Sequence, residues 1–315
     1  MSLASVSRRV GDLGQLALAR IRSGAPRRVF TFTGGLGDHL ACTVAFRELR
    51  KRGARNLWMA SPWPELFLGN ADIDAVVPPL VAHSRFVRAS AGCAVPLDYS
   101  HYIAERDIDA PTDRHILAVI CQRAGVTGEV ALRPRFTLRD DERAAGRRFP
   151  SQICIQSSGR GAAAFMENKE WFADRFQSVA DALASRFSLI QIGSVESPRL
   201  DRTLDLRGKT SLRETAALLS CSRLFIGQVG FLMHLARAVE CRAAILFGGR
   251  ETPALTGYTA NENLCTPLPC SPCWQRSRCD FNHDCMKQIS VEAVLASVEK
   301  QLAQTGALPE ETATL

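Results

Sequence analysis

The stretch Val29–Leu40, VFTFTGGLGDHL, constrains this chain more than any other. Its first half, Val29 to Thr33, is apolar and β-branched and predicts a buried strand. Gly34-Gly35-Leu36-Gly37 follows at once, and Asp38 opens a helical run through Leu49. Strand, glycine turn and helix form the first βα unit of a doubly wound sheet, a fold whose ligands collect beyond the strand C-termini. The glycines permit close approach of backbone or ligand, and the start of the helix favours negative charge. Asp38 therefore stands where either a plain helix cap or a catalytic carboxylate would stand.

The same unit recurs. Small-residue turns close apolar runs at Ser157–Gly161, Gly227–Gly230 and Gly248–Glu251. Strands alternating with helices, twice over, predict an α/β chain of two Rossmann-like domains facing across a cleft. The expected division is an N-terminal amphipathic helix over 1–28, a first domain over 29–150, and a second over 151–290 with a cysteine-rich loop at 265–286. A last helical segment covers 291–315. The N-terminal helix reads either as an accessory helix docked on the body or as a membrane-surface helix. Residues 78–111 have no clear period, hold Tyr99, His101 and Tyr102, and are expected to be loops lining an acceptor site. None of the turns is a G-K-[ST] phosphate loop or a G-x-G-x-x-G in its required context, which disfavours a nucleotide hydrolase or a dehydrogenase.

A length of 315 residues accommodates two such domains, and a net charge of +7, from 39 Lys and Arg against 32 Asp and Glu, suits an anionic ligand or membrane surface. No finger, recognition helix or RNA-binding signature is present, so nucleic acid is not an expected partner. No window reaches the roughly 20 apolar residues of a membrane span, and the basic N-terminus lacks the apolar core of a secretory signal. Cysteines set singly in apolar runs, such as Cys42, Cys121, Cys154 and Cys221, predict reduced buried thiols and a cytoplasmic location. Cys270, Cys273, Cys279 and Cys285 are different: they crowd one loop beside His283. Four thiols there suit a structural zinc or iron, with free thiols or disulfides as the alternatives.

Taken in order, GGLGD (Gly34–Asp38), K-x-W (Lys169–Trp171), DLRGKTSL (Asp205–Leu212), G-x-x-G-x-x-x-H-L-A (Gly227–Ala236) and C-x-x-C (Cys270–Cys273) resemble the ADP-heptose-type heptosyltransferases of glycosyltransferase family 9. The resemblance runs from about Val29 to the last helix. It implies a GT-B fold, with a nucleotide-diphosphate sugar held by the second domain, the acceptor by the first, and the last helix returning to the first domain. It also implies Asp38 as general base, Lys169 on the donor phosphates, Glu196 on the donor nucleoside, and His234 in the helix after the phosphate turn. Relatives that glycosylate autotransporters bind iron in a loop comparable to the cysteine loop here. Two departures flank the donor site. Gln228-Val229-Gly230 replaces Asp-[Ser/Thr]-Gly, with one extra residue before His234, and Gly248-Gly249-Arg250-Glu251 replaces Gly-Pro-Thr.

Inverting sugar transfer needs a base for the acceptor hydroxyl and a stabilised diphosphate leaving group. Lys169, the helix start at Gly230 and Phe231, and Arg250 are the expected source of positive field, and Gly35, Gly37 and His39 the acceptor-side residues. The expected activity is transfer of a heptose, without a catalytic cofactor, to lipopolysaccharide core or another surface glycan. It would take place in the cytoplasm or at the inner face of the cytoplasmic membrane. A GT-B sugar epimerase and a catalytically silent scaffold are the alternatives.

Overall fold

The computed structural model describes residues 14–92 and 94–315. The first part of the predicted N-terminal helix lies outside them; what is described is a helix, α1, over 14–23. Leu16 is buried with Val29 and Trp58, and the Arg20 guanidinium sits over the Phe86 ring at 5.0 Å. Residues 14–23 thus pack on the N-terminal half through Leu16 and Arg20, while Leu18 and Ile21 stay exposed. Among the described residues no helix is long and apolar enough to cross a membrane.

The N-terminal half is built on β1 (Arg28–Thr31), α2 (Leu36–Ala41), α3 (Thr43–Lys51), β2 (Leu57–Ala60), β3 (Ala75–Val77), α4 (Arg85–Ala91) and β4 (Val95–Pro96). Its sheet is parallel, in the order β3-β2-β1-β4. A small hairpin of β5 (Tyr102–Ile103) and β6 (Ile108–Asp109) follows, then α5 (Ile116–Arg123), β7 (Glu129–Ala131) and α6 (Asp140–Ala145). Residues 78–111, read as loops, thus contain α4 and three two-residue strands. Such strands are too short to carry a period of two.

The C-terminal half runs β8 (Gln152–Ile155), α7 (Ala173–Leu183), β9 (Ser188–Gln191), β10 (Leu204–Asp205), α8 (Leu212–Ser220), β11 (Leu224–Gln228), α9 (Phe231–Ala238), β12 (Ala243–Gly248), α10 (Pro253–Thr256), β13 (Glu262–Cys265), α11 (Asp284–Lys287), α12 (Val291–Ala303) and β14 (Thr312–Thr314). Its sheet has the order β10-β9-β8-β11-β12-β13, all parallel. The order reverses between β8 and β11, the crevice where a doubly wound sheet takes its ligand. Strands β8, β11 and β12 are buried along their whole length, as a sheet covered on both faces requires.

The halves are joined by more than the linker. One apolar core runs from Phe30, Leu40 and Phe46 of the first half to Leu232, Phe247 and Tyr258 of the second. Arg213 of α8 binds Glu142 of α6 at 2.6 Å and the carbonyls of Glu65 and Thr137. The last helix corrects an expectation: α12 lies on α7, β12 and β13 of its own half. Val294 and Val298 bury there beside Ile289 and Met286. It is β14, beyond that helix, that returns to the first half, pairing antiparallel with β7.

Candidate active site

The glycine turn after β1 delivers Asp38 in the first turn of α2, two residues later than the helix start. Its two oxygens have separate partners. Oδ2 accepts the Gly35 N–H at 2.7 Å, which is the capping role, and Oδ1 accepts the Tyr99 hydroxyl at 2.7 Å. The two readings of Asp38 are thus not exclusive, because capping occupies one oxygen only. Gly34 has to be a glycine: a Cβ there would stand 2.1 Å from Asp38 Oδ2. Burial raises the Asp38 pKa above the usual carboxylate value. The hydrogen bonds from Tyr99 and Gly35 and the charge of Lys169 oppose that rise, and Glu251 adds to it.

Lys169, from the C-terminal half, is therefore close enough to Asp38 for its charge to be felt there. It closes a short helical turn, Glu167–Lys169, after the β8 turn. Its Nζ lies 2.5 Å from Glu251 Oε1, and Arg250 approaches the same oxygen at 3.1 Å. Burial alone would raise the Glu251 carboxyl, but Lys169 and Arg250 hold it down at about 2. Arg250, placed in the sequence as part of the donor field, is 2% exposed and also bonds Asp109 of the N-terminal half.

Gly37, expected on the acceptor side, lies at the seam. A Cβ on it would stand 3.3 Å from both His234 Cδ2 and Phe231 Cα, so α2 meets the start of α9 through a glycine. His234 is buried, its Nδ1 2.5 Å from the Tyr258 hydroxyl, and burial lowers its pKa to about 3. It is a neutral group bridging α9 to Tyr258. His39 is buried edge-on against Trp63 at 4.9 Å, with burial lowering its pKa to about 4. On the N-terminal side, a cavity of about 450 Å³ opens beside Tyr99, lined by Thr112, Arg114 and Arg123 among others.

At the crevice of the second sheet, Glu170 braces the β8 turn, accepting from the Gly159 N–H at 2.8 Å and the Ser158 hydroxyl at 2.6 Å. Glu196 is exposed beside Gly161 of the same turn, on the edge expected for the donor. Gln228, at the end of β11, is 3% exposed with neither amide atom bonded. The sequence marks Tyr99 only as one residue of an expected acceptor-side loop and Glu251 only as the end of a turn, and it does not mark Glu170 or Asp109. Each matters through a partner distant in the chain, and no local pattern marks that pairing.

Cys270, Cys273, Cys279 and Cys285 line one cavity of about 270 Å³, together with His283, Asn168 and Arg250. Soft thiolate donors of this number suit zinc or iron. Among the described residues, however, no three His, Cys, Asp or Glu side chains are gathered into a ligand cluster. Of the other cysteines, Cys42, Cys121 and Cys154 are buried as expected, whereas Cys221 is only half-buried.

Residues 131–282 match the family model described as "Glycosyltransferase family 9 (heptosyltransferase)". Over this stretch, a little under half of the chain, the sequence resembles family 9 glycosyltransferases. No curated protein matches it in sequence. Among solved structures it is similar to the family 9 glycosyl transferase of Veillonella parvula, with a TM-score of 0.63 and 15% identity over 89% of this chain and 98% of that one. It is also similar to TibC, the iron-containing dodecameric glycosyltransferase of enterotoxigenic E. coli, with a TM-score of 0.68 and 18% identity over 88% of this chain and 76% of that one. The ADP-heptose lipopolysaccharide heptosyltransferase II of E. coli gives 0.63 and 13% over 87% and 98%. These likenesses establish the fold as GT-B, and the family match makes the chain heptosyltransferase-like.

Proposed function

We propose that this glycosyltransferase moves a heptose from an ADP-heptose-like donor to a sugar hydroxyl of lipopolysaccharide core or another surface glycan, with inversion. The observation that carries the reading is the nearness of Lys169, an ammonium of one half held on Glu251, to Asp38, a carboxyl group of the other, close enough for its charge to act there. The matched family and the printed ligands of similar structures support the donor. One is TibC in complex with ADP-D-beta-D-heptose, another an E. coli heptosyltransferase with ADP.

In this scheme Asp38 takes the acceptor hydroxyl proton as the oxygen attacks the anomeric carbon. The bond to the diphosphate breaks on the opposite face, which inverts the centre. Each Asp38 oxygen keeps a second lone pair for that proton beside its existing partner. Lys169 keeps Glu251 on one ammonium N–H and turns the others to the diphosphate, and the N–H groups at the start of α9 add positive field. The acceptor enters beside Tyr99, from the side of the 450 Å³ cavity. No metal takes part in this chemistry. The four-cysteine loop is proposed to hold one structural zinc or iron, which would fix the loop. The place of work is the cytoplasm, with the acceptor reached at the inner membrane surface.

The test is incubation with ADP-heptose and a panel of acceptors, including heptose-deficient lipopolysaccharide core, read by ADP release and product mass. ADP formed only with an acceptor, and an acceptor heavier by one heptose, is the expected result. Conversion of the donor to an epimer without acceptor would replace this reading with epimerisation. Absence of donor binding and turnover would leave a scaffold.

A further inference from the structure

The loop carrying the cysteines does more than close on itself: it grips the N-terminal hairpin and the Lys169 turn at the same time. On the hairpin side, the Asp109 N–H donates to Trp274 O at 3.0 Å and the Arg276 N–H to Asp107 O at 2.9 Å. The N–H groups of Ser277 and Arg278 both donate to Asp107 Oδ2 at 2.9 Å. The Arg276 guanidinium binds Asp109 Oδ1 at 2.6 Å and covers the Tyr102 ring at 3.9 Å. On the donor side, Asn168 is 4% exposed and sits next to Lys169. Its N–H donates to Arg276 O at 3.0 Å, and its amide nitrogen donates to Arg278 O at 2.8 Å. A second route reaches the same lysine: Asp109 to Arg250, Arg250 to Glu251, Glu251 to Lys169.

We propose that residues 273–278 form a latch between the two halves, and that Asp109 is a positioning residue that sets Lys169 opposite Asp38 through Arg250 and Glu251. The physical case rests on desolvation. Asp109, Arg250 and Glu251 are all buried, so each charge is tolerated only while its neighbours stay in place. A buried chain of this kind has one low-energy arrangement, which transmits the position of the N-terminal hairpin to the lysine. The exposed Arg276–Tyr102 stack and the Asp107 cap add reach without that cost. The latch stands on contacts alone, whereas the role of the positioned lysine rests on the donor reading above.

Two variants test it in the full-length protein as purified. Asp107→Ala removes the acceptor for two loop N–H groups at a half-buried position, so the fold is expected to survive. Hydrogen exchange should then quicken at least tenfold both at 273–278 and at 166–170, with α8 and α12 unchanged. Faster exchange confined to 273–278 overturns the latch. Asp109→Asn is read in a double-mutant cycle with Lys169→Ala, using ADP as the titrant. ADP should bind about tenfold more weakly when Asp109 alone is changed, and less than twofold more weakly when Lys169 is already absent. Equal losses in both backgrounds overturn the positioning role. A native protein that binds no ADP would overturn both the donor reading and the positioning role, leaving the latch to stand or fall on the exchange result.

Discussion

Tyr99 and Asp38 lie 61 positions apart, and the Tyr99 hydroxyl donates to Asp38 Oδ1 at 2.7 Å. The bond gives the candidate base a fixed orientation and sets its electrostatics. Burial favours the neutral carboxylic acid, whereas a donated hydrogen bond favours the carboxylate, the form that accepts a proton.

Replacing the carboxylate tests the base directly. Asp38→Asn keeps an oxygen for the Gly35 N–H, so the start of α2 should hold and ADP should bind as before. Turnover should fall about 10²-fold or more, the usual worth of a positioned general base. Near-normal rates would reduce Asp38 to its capping bond.

Tyr99→Phe tests the tuning. The base works ionised, so the rate rises with pH through its pKa, which burial already holds above the ordinary carboxylate value. Loss of the phenol removes a group that favours the charged form. The rising limb of kcat/KM should therefore move to higher pH in the variant. A limb that stays in place would mean that Tyr99 only packs against Phe32, whose ring centroid lies 5.6 Å away.

Lys169→Ala should weaken ADP binding by about 1.5–3 kcal/mol, the range for a hydrogen bond to a charged group. The lower end is expected, because the Lys169 charge is already shared with Glu251, its partner at 2.5 Å. Calorimetric titration decides it: unchanged affinity would remove Lys169 from the donor site.

The parts of this site that were legible in the sequence are local. Val29–Thr33 followed by glycines and an amphipathic run reveals strand, turn and helix because each depends on neighbours a few positions away. The K-x-W and cysteine spacings are visible for the same reason. Tyr99 on Asp38, Asp109 on Arg250, and Glu170 on the Gly159 turn are pairings across the fold, and nothing near those residues announces them. Strands β4, β5 and β6 leave no trace in the sequence, because two residues hold no periodicity. The docking of α12 is not legible in the sequence, because its apolar face fits any sheet, and only β13 and α7 decide which.

Acid should destabilise the fold through its buried histidines. Burial lowers His39 to about 4 and His234 to about 3, and also lowers His115. In the unfolded chain such groups titrate near 6.5. Between those values the unfolded state binds more protons, so stability is full above about pH 6.5 and is lost as pH falls toward 4 and 3. Melting temperature measured against pH should drop across that window, and His234→Gln should flatten part of the slope. A flat profile between pH 6.5 and 4 would mean that these histidines are protonated in the fold.

The cysteine loop offers the last test. Its apolar content is small: Trp274 and Met286 are buried, while Phe281 is 57% exposed. A loop of this length with so little to pack is costly to order. Metal–thiolate bonds would supply that order, since a site that forms only in the folded chain returns its binding energy as stability. The loop contacts Asp109 and Asn168 rather than the reacting atoms, so loss of metal should lower stability first and turnover second. Elemental analysis of protein purified without a metal-binding tag should find about one zinc or iron per chain, lost in Cys273→Ser together with several degrees of melting temperature. Metal-free protein, with all four thiols of the loop open to titration, would refute the site.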